Sequence, residues 1–148
     1  MAQLFMFLAG LAGAAGVAFS AMAAHALQDT LAPKEIEWIE TGGTYLLLHA
    51  PALALCALIG LRNSGRLVTA AGVLFSIGLI CFSGGLLVLA LTGFRPVIAI
   101  VPVGGSLLAI AWIVFGAIGL NWFRTNRKSQ ENPSESGANR SIDSTGQV

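Results

Sequence analysis

Charged residues are scarce in this sequence and are missing from four long stretches of it. Of its 148 residues, 10% are charged and 55% are hydrophobic, whereas an ordinary soluble domain carries about 25% charged residues. The uncharged stretches are residues 1–28, 41–61, 67–94 and 96–123. Each supplies the ~20 residues that a helix needs to cross a ~30 Å hydrocarbon core. Because a bilayer offers backbone amides no water, four transmembrane helices are predicted.

Residues that hold metals or carry redox chemistry are also few. The chain has two cysteines, Cys56 and Cys81, both inside uncharged stretches, and two histidines, His25 and His49. The sequence contains no CxxC pair and no Cys/His spacing typical of a metal site. We therefore interpret the cysteines as small buried hydrophobic residues rather than a disulfide between spans, and we expect no metal and no cofactor.

The charges that are present indicate no nucleic-acid partner. The formal net charge is +1 and no dense basic cluster occurs. Expected partners are the lipid bilayer and either a second copy of the chain or a larger membrane complex.

The predicted fold is all-α, an integral membrane bundle of four transmembrane helices. The membrane domain covers residues 1–124, with helices at about 3–25, 44–61, 67–91 and 97–120. The first apolar run exceeds the 7–15 residues of a signal-peptide core and no Lys or Arg precedes it, so we interpret it as a retained helix. Residues 125–148, rich in Ser, Asn, Gln, Gly and Glu, are predicted to form a disordered cytoplasmic tail.

A short interfacial helix is predicted between the first two spans, within residues 27–43. Pro33 is suited to the first turn of a helix, and the pair Gly42 and Gly43 is suited to its end. Ile36 and Ile39 share one face, which we expect to lie on the membrane surface.

The distribution of Lys and Arg predicts the orientation. With four spans, six basic residues lie on the side of the termini and two, Lys34 and Arg95, lie on the other. The positive-inside rule then places both termini in the cytoplasm of a cell whose plasma (inner) membrane holds the protein. Labelling of a cysteine introduced at Glu37 by an impermeant reagent from outside the cell would test this orientation.

A candidate ligand site is predicted in the outward half of the bilayer, where polar residues and two glycine-rich segments fall at similar depths. Its residues are His25, Tyr45, His49, Ser83, Gly84, Pro102 and Gly104. In one interpretation, His25 and His49 flank a small pocket for a head group, a quinone-like molecule or a proton. In the other, neutral His49 hydrogen-bonds Ser83 or a carbonyl of a neighbouring helix and stabilises the bundle.

Enzymatic chemistry has little support in the residues. Ser83 lacks a GxSxG context, and no carboxylate lies at membrane depth to orient a histidine. We expect no catalytic residues. The predicted function is a non-enzymatic accessory or assembly factor in the membrane. The alternative is a small transporter or a protein that binds a lipid or another lipophilic ligand near His25, His49 and Ser83.

Four motifs follow one another along the chain. They are Ser20-Ala21-Met22-Ala23-Ala24-His25-Ala26-Leu27, Trp38-Ile39-Glu40-Thr41-Gly42 followed by Tyr45 and His49, Phe82-Ser83-Gly84-Gly85-Leu86, and Pro102-Val103-Gly104-Gly105 with Trp112 downstream. In this order they resemble the motifs of the domain-of-unknown-function 423 group, a family related to eukaryotic transmembrane protein 256. The resemblance covers about residues 1–124. It implies a small inner-membrane protein with four helices, and it implies no activity. Ser20, Met22 and Ala23 stand where the family motif has Gly, Phe and Gly, and Gly85 stands where it has Ser.

Overall fold

Four long apolar helices make up the computed structural model, which describes residues 1–62 and 65–131, excluding the side chains of 123–126 and 128–131. All regular structure in these ranges is helical. The α-helices are α1 (Ala2–Ala21), α2 (Pro33–Arg62), α3 (Arg66–Leu79), α4 (Gly85–Thr92) and α5 (Ile100–Glu131). Met22–Ala26 and Ile80–Gly84 are π-helical, and Arg95–Ala99 is a 3₁₀ helix.

These elements form four segments that are long and apolar enough to cross a membrane. They are Ala2–Ala26, Pro33–Arg62, Arg66–Thr92 and Arg95–Trp122, with mean hydropathies of 1.9, 1.9, 2.4 and 2.4. The prediction of an all-α protein with four spans is therefore confirmed. The chain divides into two compact units, residues 1–115 and 116–148. The packing described below lies within the first unit.

Glycines let α1 and α2 pack closely in antiparallel orientation. A Cβ atom at Gly16 would lie 2.7 Å from Cγ of Leu47 and 2.9 Å from the carbonyl oxygen of Gly43. A Cβ at Gly13 would lie 3.8 Å from Cβ of Ala50, which fixes the register of the two helices. In a membrane, where helices are not driven together by water, close backbone approach of this kind is a main source of helix association.

The third and fourth spans pack in the same way. A Cβ atom at Gly78 would lie 2.7 Å from Cδ2 of Leu108 in α5. Leu108 therefore fills the space that a larger residue at position 78 would need. Further along, a Cβ at Gly104 would collide with the backbone nitrogen of Phe82 in the π-helical segment. The two spans are joined at Gly93, whose φ of 67° is in the left-handed region that a glycine adopts without strain.

The predicted interfacial helix is not confirmed, because Pro33–Arg62 is one continuous helix of 30 residues. Gly42 and Gly43 lie inside it, both buried, and serve as contact points for neighbouring helices rather than as a helix end. Ile36 and Ile39 are also buried, where they pack with Ala23 and Ala90. The buried face of this first part of α2 therefore continues the core of the bundle.

The start of α2 is stabilised where the sequence predicts a helix start. Pro33 is its first residue, and a carboxylate oxygen of Glu35 accepts a 2.8 Å hydrogen bond from the backbone N–H of Ala32. This contact satisfies one of the amide donors that every helix start leaves free.

Helix α5 continues beyond the fourth apolar segment. The helix extends to Glu131, whereas the segment apolar enough to cross a membrane ends at Trp122. The rest of the predicted tail, residues 132–148, lies outside the described residues.

Cys56 and Cys81 both carry free thiols.

The contact at Gly16 generates a stability prediction. We expect Gly16→Ala to destabilise the bundle by about 1–3 kcal/mol, because the added methyl overlaps Leu47 and the backbone of Gly43. The matched control is Gly10→Ala on the same helix, since a Cβ at Gly10 meets nothing within 4 Å. Reversible unfolding in mixed detergent micelles measures both, and equal stability of the two variants would contradict the packing described.

Candidate functional site

His49 lies deep in the bundle, near the middle of α2. It is sixteen residues from Pro33 and thirteen from Arg62, or about 24 Å and 20 Å along the helix axis. Its side chain is 7% exposed. It therefore lies near the middle of the continuous helix, whereas the predicted second span, which begins at Thr44, places it near one end.

Both ring nitrogens of His49 have hydrogen-bond partners. Nδ1 lies 2.8 Å from the carbonyl oxygen of Tyr45, one turn earlier in α2. Nε2 accepts a 3.2 Å hydrogen bond from the indole N–H of Trp112 in α5. A carbonyl can only accept and an indole N–H can only donate, so Nδ1 carries the proton and Nε2 does not. The two contacts thus assign a neutral imidazole with one defined tautomer.

Aromatic rings surround this imidazole. Tyr45 stacks on it at 5.6 Å between ring centroids, and Phe75 and Trp112 approach it at 5.8 Å and 6.0 Å. Phe75 and Trp112 meet edge to face at 5.2 Å, and Phe115 extends the group along α5. Edge-to-face and offset pairs at these distances are worth about 0.5–1.5 kcal/mol each beyond their burial. We call Tyr45, His49, Phe75, Phe82, Trp112 and Phe115 the aromatic cluster.

The π-helical segment Ile80–Gly84 places the last member of the aromatic cluster. The ring of Phe82 lies 4.3 Å from that of Tyr45. The backbone nitrogen of Phe82 lies in the space that a Cβ atom at Gly104 of α5 would occupy. A π-helical turn inserts an extra residue into a helix and often marks a functional position. Here it brings Phe82 against both α2 and α5.

Ser83, in the same π-helical segment, is fully buried and its hydroxyl lacks a hydrogen-bond partner among the described residues. Three other hydroxyls in the third and fourth spans donate to the carbonyl four residues earlier, namely Ser76 to Gly72, Thr92 to Val88 and Ser106 to Pro102. Ser83 lies in the π-helix, where the backbone hydrogen-bond register differs, and its hydroxyl does not form the same bond. A buried polar group left without a partner costs about 1–3 kcal/mol.

The structure brings only part of the predicted site together. Tyr45 and His49 are in direct contact, and the predicted interhelical bond of His49 exists, although its partner is Trp112 and not Ser83. His25 lies elsewhere, exposed on the π-helical end of the first span. Because Gly13 is level with Ala50 in the antiparallel pair, His25 and His49 are about 16 Å apart along the bundle.

The remaining predicted residues have separate surroundings. Gly104 packs on Phe82 as described, and Pro102 is exposed, with its carbonyl accepting the Ser106 hydroxyl at 2.9 Å. Gly84 lines a groove on the surface of the bundle. The seven predicted residues therefore do not enclose one pocket.

Sequence reasoning did not assign Trp112, Phe75 and Phe115 to this site. For Trp112 a signal was present, because tryptophan in membrane proteins is concentrated at the interfaces and this one lies in the middle of a span. An aromatic side chain with an N–H donor at that depth indicates a buried acceptor on a neighbouring helix.

The arrangement is suited to holding helices together. With Nδ1 donating and Nε2 accepting, His49 has no ring nitrogen left to bind a metal or to exchange protons unless a hydrogen bond breaks. Within residues 1–62 and 65–131, no three His, Cys, Asp or Glu side chains lie close enough to hold a metal ion. The chemistry seen at this site is that of a hydrogen-bonded link between α2 and α5.

Comparison with known proteins identifies relatives over most of the chain. Residues 19–105 match the family described as "Protein of unknown function (DUF423)". A UPF0382 membrane protein of Haemophilus influenzae is 36% identical over 115 residues, which is 76% of this chain and 90% of that protein. The UPF0382 membrane protein YwdK of Bacillus subtilis is 33% identical over 113 residues, covering 76% and 92%. The UPF0382 inner membrane protein YgdD of Escherichia coli is 33% identical over 123 residues, covering 81% and 94%. No solved structure matches the chain.

The link between Trp112 and His49 predicts a measurable coupling between the two side chains. In a double-mutant cycle with His49→Phe and Trp112→Phe, we expect a coupling energy of about 0.6–2 kcal/mol, the range measured for interhelical hydrogen bonds in membranes. The cycle cancels the other contacts that each substitution removes. Unfolding in mixed micelles supplies the four free energies.

The control cycle pairs His49→Phe with Trp38→Phe. Trp38 packs at the far end of α2, against the cluster formed by Ala23, Ile36, Ile39 and Ala90, and we expect no coupling with it. A coupling near zero for Trp112 as well would show that the bond does not contribute to the fold.

Proposed function

This chain belongs to the family of proteins of unknown function DUF423, and we propose from the geometry of its bundle that it is a non-enzymatic accessory or assembly factor of the membrane. The observation that supports this is the pairing of both His49 ring nitrogens inside the bundle. Ionisable side chains at membrane depth usually mark a transport pathway or a reaction centre. Here that side chain is used to connect two helices.

A protein that acts through packing needs a face that its own helices leave open. The first span supplies one. Gly16 and Ala12 are buried within the bundle, whereas Gly10 and Ala14 are exposed on another face of α1. A Cβ at Gly10 meets nothing within 4 Å. Small residues four apart allow another transmembrane helix to approach closely, and we propose this face for a partner helix of a larger membrane complex or of a second copy.

The proposed location is the plasma (inner) membrane with both termini in the cytoplasm. Support comes from the six basic residues on the side of the termini against two on the other side. The Escherichia coli relative is named an inner membrane protein.

One observation favours a second candidate function. The buried hydroxyl of Ser83 has no hydrogen-bond partner among the described residues, and such a group can serve a ligand or a transport step that another conformation exposes. The second candidate is therefore a small transporter or a binder of a lipophilic ligand that uses Ser83 and His49.

The experiment compares two glycines that have equally open surroundings. Gly10 and Gly116 are both exposed, and a Cβ at either meets nothing within 4 Å. In native gels of mildly solubilised membranes, we expect the wild type and Gly116→Leu to migrate as an assembly larger than one chain. We expect Gly10→Leu to migrate as a single chain, because leucine blocks close helix approach.

Migration of the wild type as a single chain, or no difference between the two variants, would contradict the packing role of Gly10.

The substitution His49→Phe distinguishes the two candidate functions. If this variant is folded and keeps the assembly but loses a cellular phenotype that Gly10→Leu retains, ligand or transport chemistry at His49 replaces the accessory role.

A further inference from the structure

A pocket of about 320 Å³ lies at the end of the bundle where the first span begins, α2 ends and α3 begins. It is lined by the start of the first span, by the last turn of α2 and by the first turn of α3. These three membrane-spanning segments begin or end at Ala2, Arg62 and Arg66. The pocket therefore lies where the spans leave the hydrocarbon core, at the level of the lipid head groups.

Apolar residues form the floor of this pocket. Phe5 and Val68 both line it and are 3% and 5% exposed. A Cβ atom at Gly60 would lie 3.5 Å from Cβ of Ala2 and 3.7 Å from Cγ1 of Val68, so the three helices meet at this glycine. A Cβ atom at Gly72 would lie 2.5 Å from the ring of Phe5, so this ring fills the space between the first span and α3. Packing among the helices thus holds the pocket in shape.

Hydrogen-bonding groups lie above this floor. Gln3 contributes an amide and Thr69 a hydroxyl to the lining. Arg66 lies three residues before Thr69 and therefore on the same side of α3. Arg62 directly follows Leu61, which also lines the pocket, and both arginines are exposed. Guanidinium groups are the side chains best suited to bind the oxygens of a phosphate.

The two arginines have no carboxylate within reach in the first unit of the chain. All acidic residues among residues 1–115 lie between Asp29 and Glu40, at the other end of the bundle. Glu40 is twenty-two residues from Arg62 in α2, or about 33 Å along the helix axis. An anion that neutralises Arg62 and Arg66 must therefore come from outside this unit. At a membrane surface, the phosphates of anionic lipids supply such charge.

The lack of carboxylates at this end also distinguishes among phospholipids. A phosphatidylethanolamine head group carries an ammonium, which can only donate hydrogen bonds. The pocket offers that ammonium no carboxylate, and the two arginines repel it. A phosphatidylglycerol head group carries hydroxyls instead, which can both donate to and accept from the side chains of Gln3 and Thr69. The lining therefore favours a head group with a net negative charge.

From this lining and this distribution of charge, we propose that the pocket binds the head group of an anionic phospholipid such as phosphatidylglycerol. Arg62 and Arg66 bind the phosphate, and Gln3 and Thr69 bind the head-group hydroxyls. The acyl chains lie along the apolar surface of the bundle. The proposal does not depend on either candidate function given above, because none of the residues invoked for them lines this pocket.

The experiment is native mass spectrometry of the full chain with palmitoyl-oleoyl phosphatidylglycerol and phosphatidylethanolamine added in equal amounts in detergent. We expect the wild type to retain one phosphatidylglycerol per chain at an activation energy that removes phosphatidylethanolamine. In a lipid titration, Arg62→Gln/Arg66→Gln should bind phosphatidylglycerol roughly 25-fold more weakly, at about fivefold for each arginine. The matched control is Lys34→Gln/Arg95→Gln, which removes two positive charges at the other end of the bundle and should keep the lipid.

A second pair separates binding in the pocket from general attraction to basic residues. Thr69→Phe fills the pocket and leaves both arginines in place. Ala70→Phe places the same side chain on the exposed surface beside it. We expect Thr69→Phe to lose the lipid and Ala70→Phe to keep it. Circular dichroism checks that each variant remains helical.

Several results would overturn the proposal. They are equal retention of the two lipids by the wild type, the absence of bound lipid from the wild type, retention of lipid by Thr69→Phe, and equal loss from both members of either pair. Displacement of the lipid by glycerol phosphate would do so as well, since the ligand would then be a soluble phosphate rather than a phospholipid.

Discussion

No water reaches the hydrocarbon core of a bilayer, and the arrangement of polar side chains in this bundle depends on that constraint. A polar group there must find its partner within the protein or remain unpaired. His49 meets the requirement twice, through the carbonyl of Tyr45 and the indole of Trp112. The second bond joins α2 to α5. Since α2 also carries the glycine contacts with α1, the imidazole links the fourth span to the helix on which the first is packed.

Small residues determine how closely the spans can approach, and their roles differ along the chain. Gly16, Gly78 and Gly104 face a neighbouring helix at distances that leave no space for a methyl group. Gly10 and Gly84 face open space. Glycines of the first kind stabilise the bundle, and those of the second leave open surface. Gly10 is the one at which we propose that a partner helix packs.

The four spans could be predicted from the sequence because the absence of charge over some twenty residues has one structural meaning in a membrane. The continuous helix α2 could not be predicted from the sequence, because its first turns carry four charged residues, Lys34, Glu35, Glu37 and Glu40. The buried face of Ile36 and Ile39, packed on Ala23 and Ala90, outweighs those exposed charges. Nor could the partner of His49 be predicted, because it depends on the register between α2 and α5. Gly104 of α5 packs on Phe82 of the third span, and Phe82 in turn contacts Tyr45 of α2, so this register depends on contacts that no local pattern encodes.

The central claim is that His49 is a hydrogen-bonded link between α2 and α5, with its proton on Nδ1. Solid-state NMR of protein with ¹⁵N-labelled histidine and tryptophan, in phospholipid bilayers, tests it most directly. His25→Asn would leave His49 as the sole histidine signal. The account predicts a proton on Nδ1, none on Nε2, and a correlation between Nε2 and the indole N–H of Trp112. A proton on Nε2, or no contact with Trp112, would contradict it and return His49 to the residues available for chemistry.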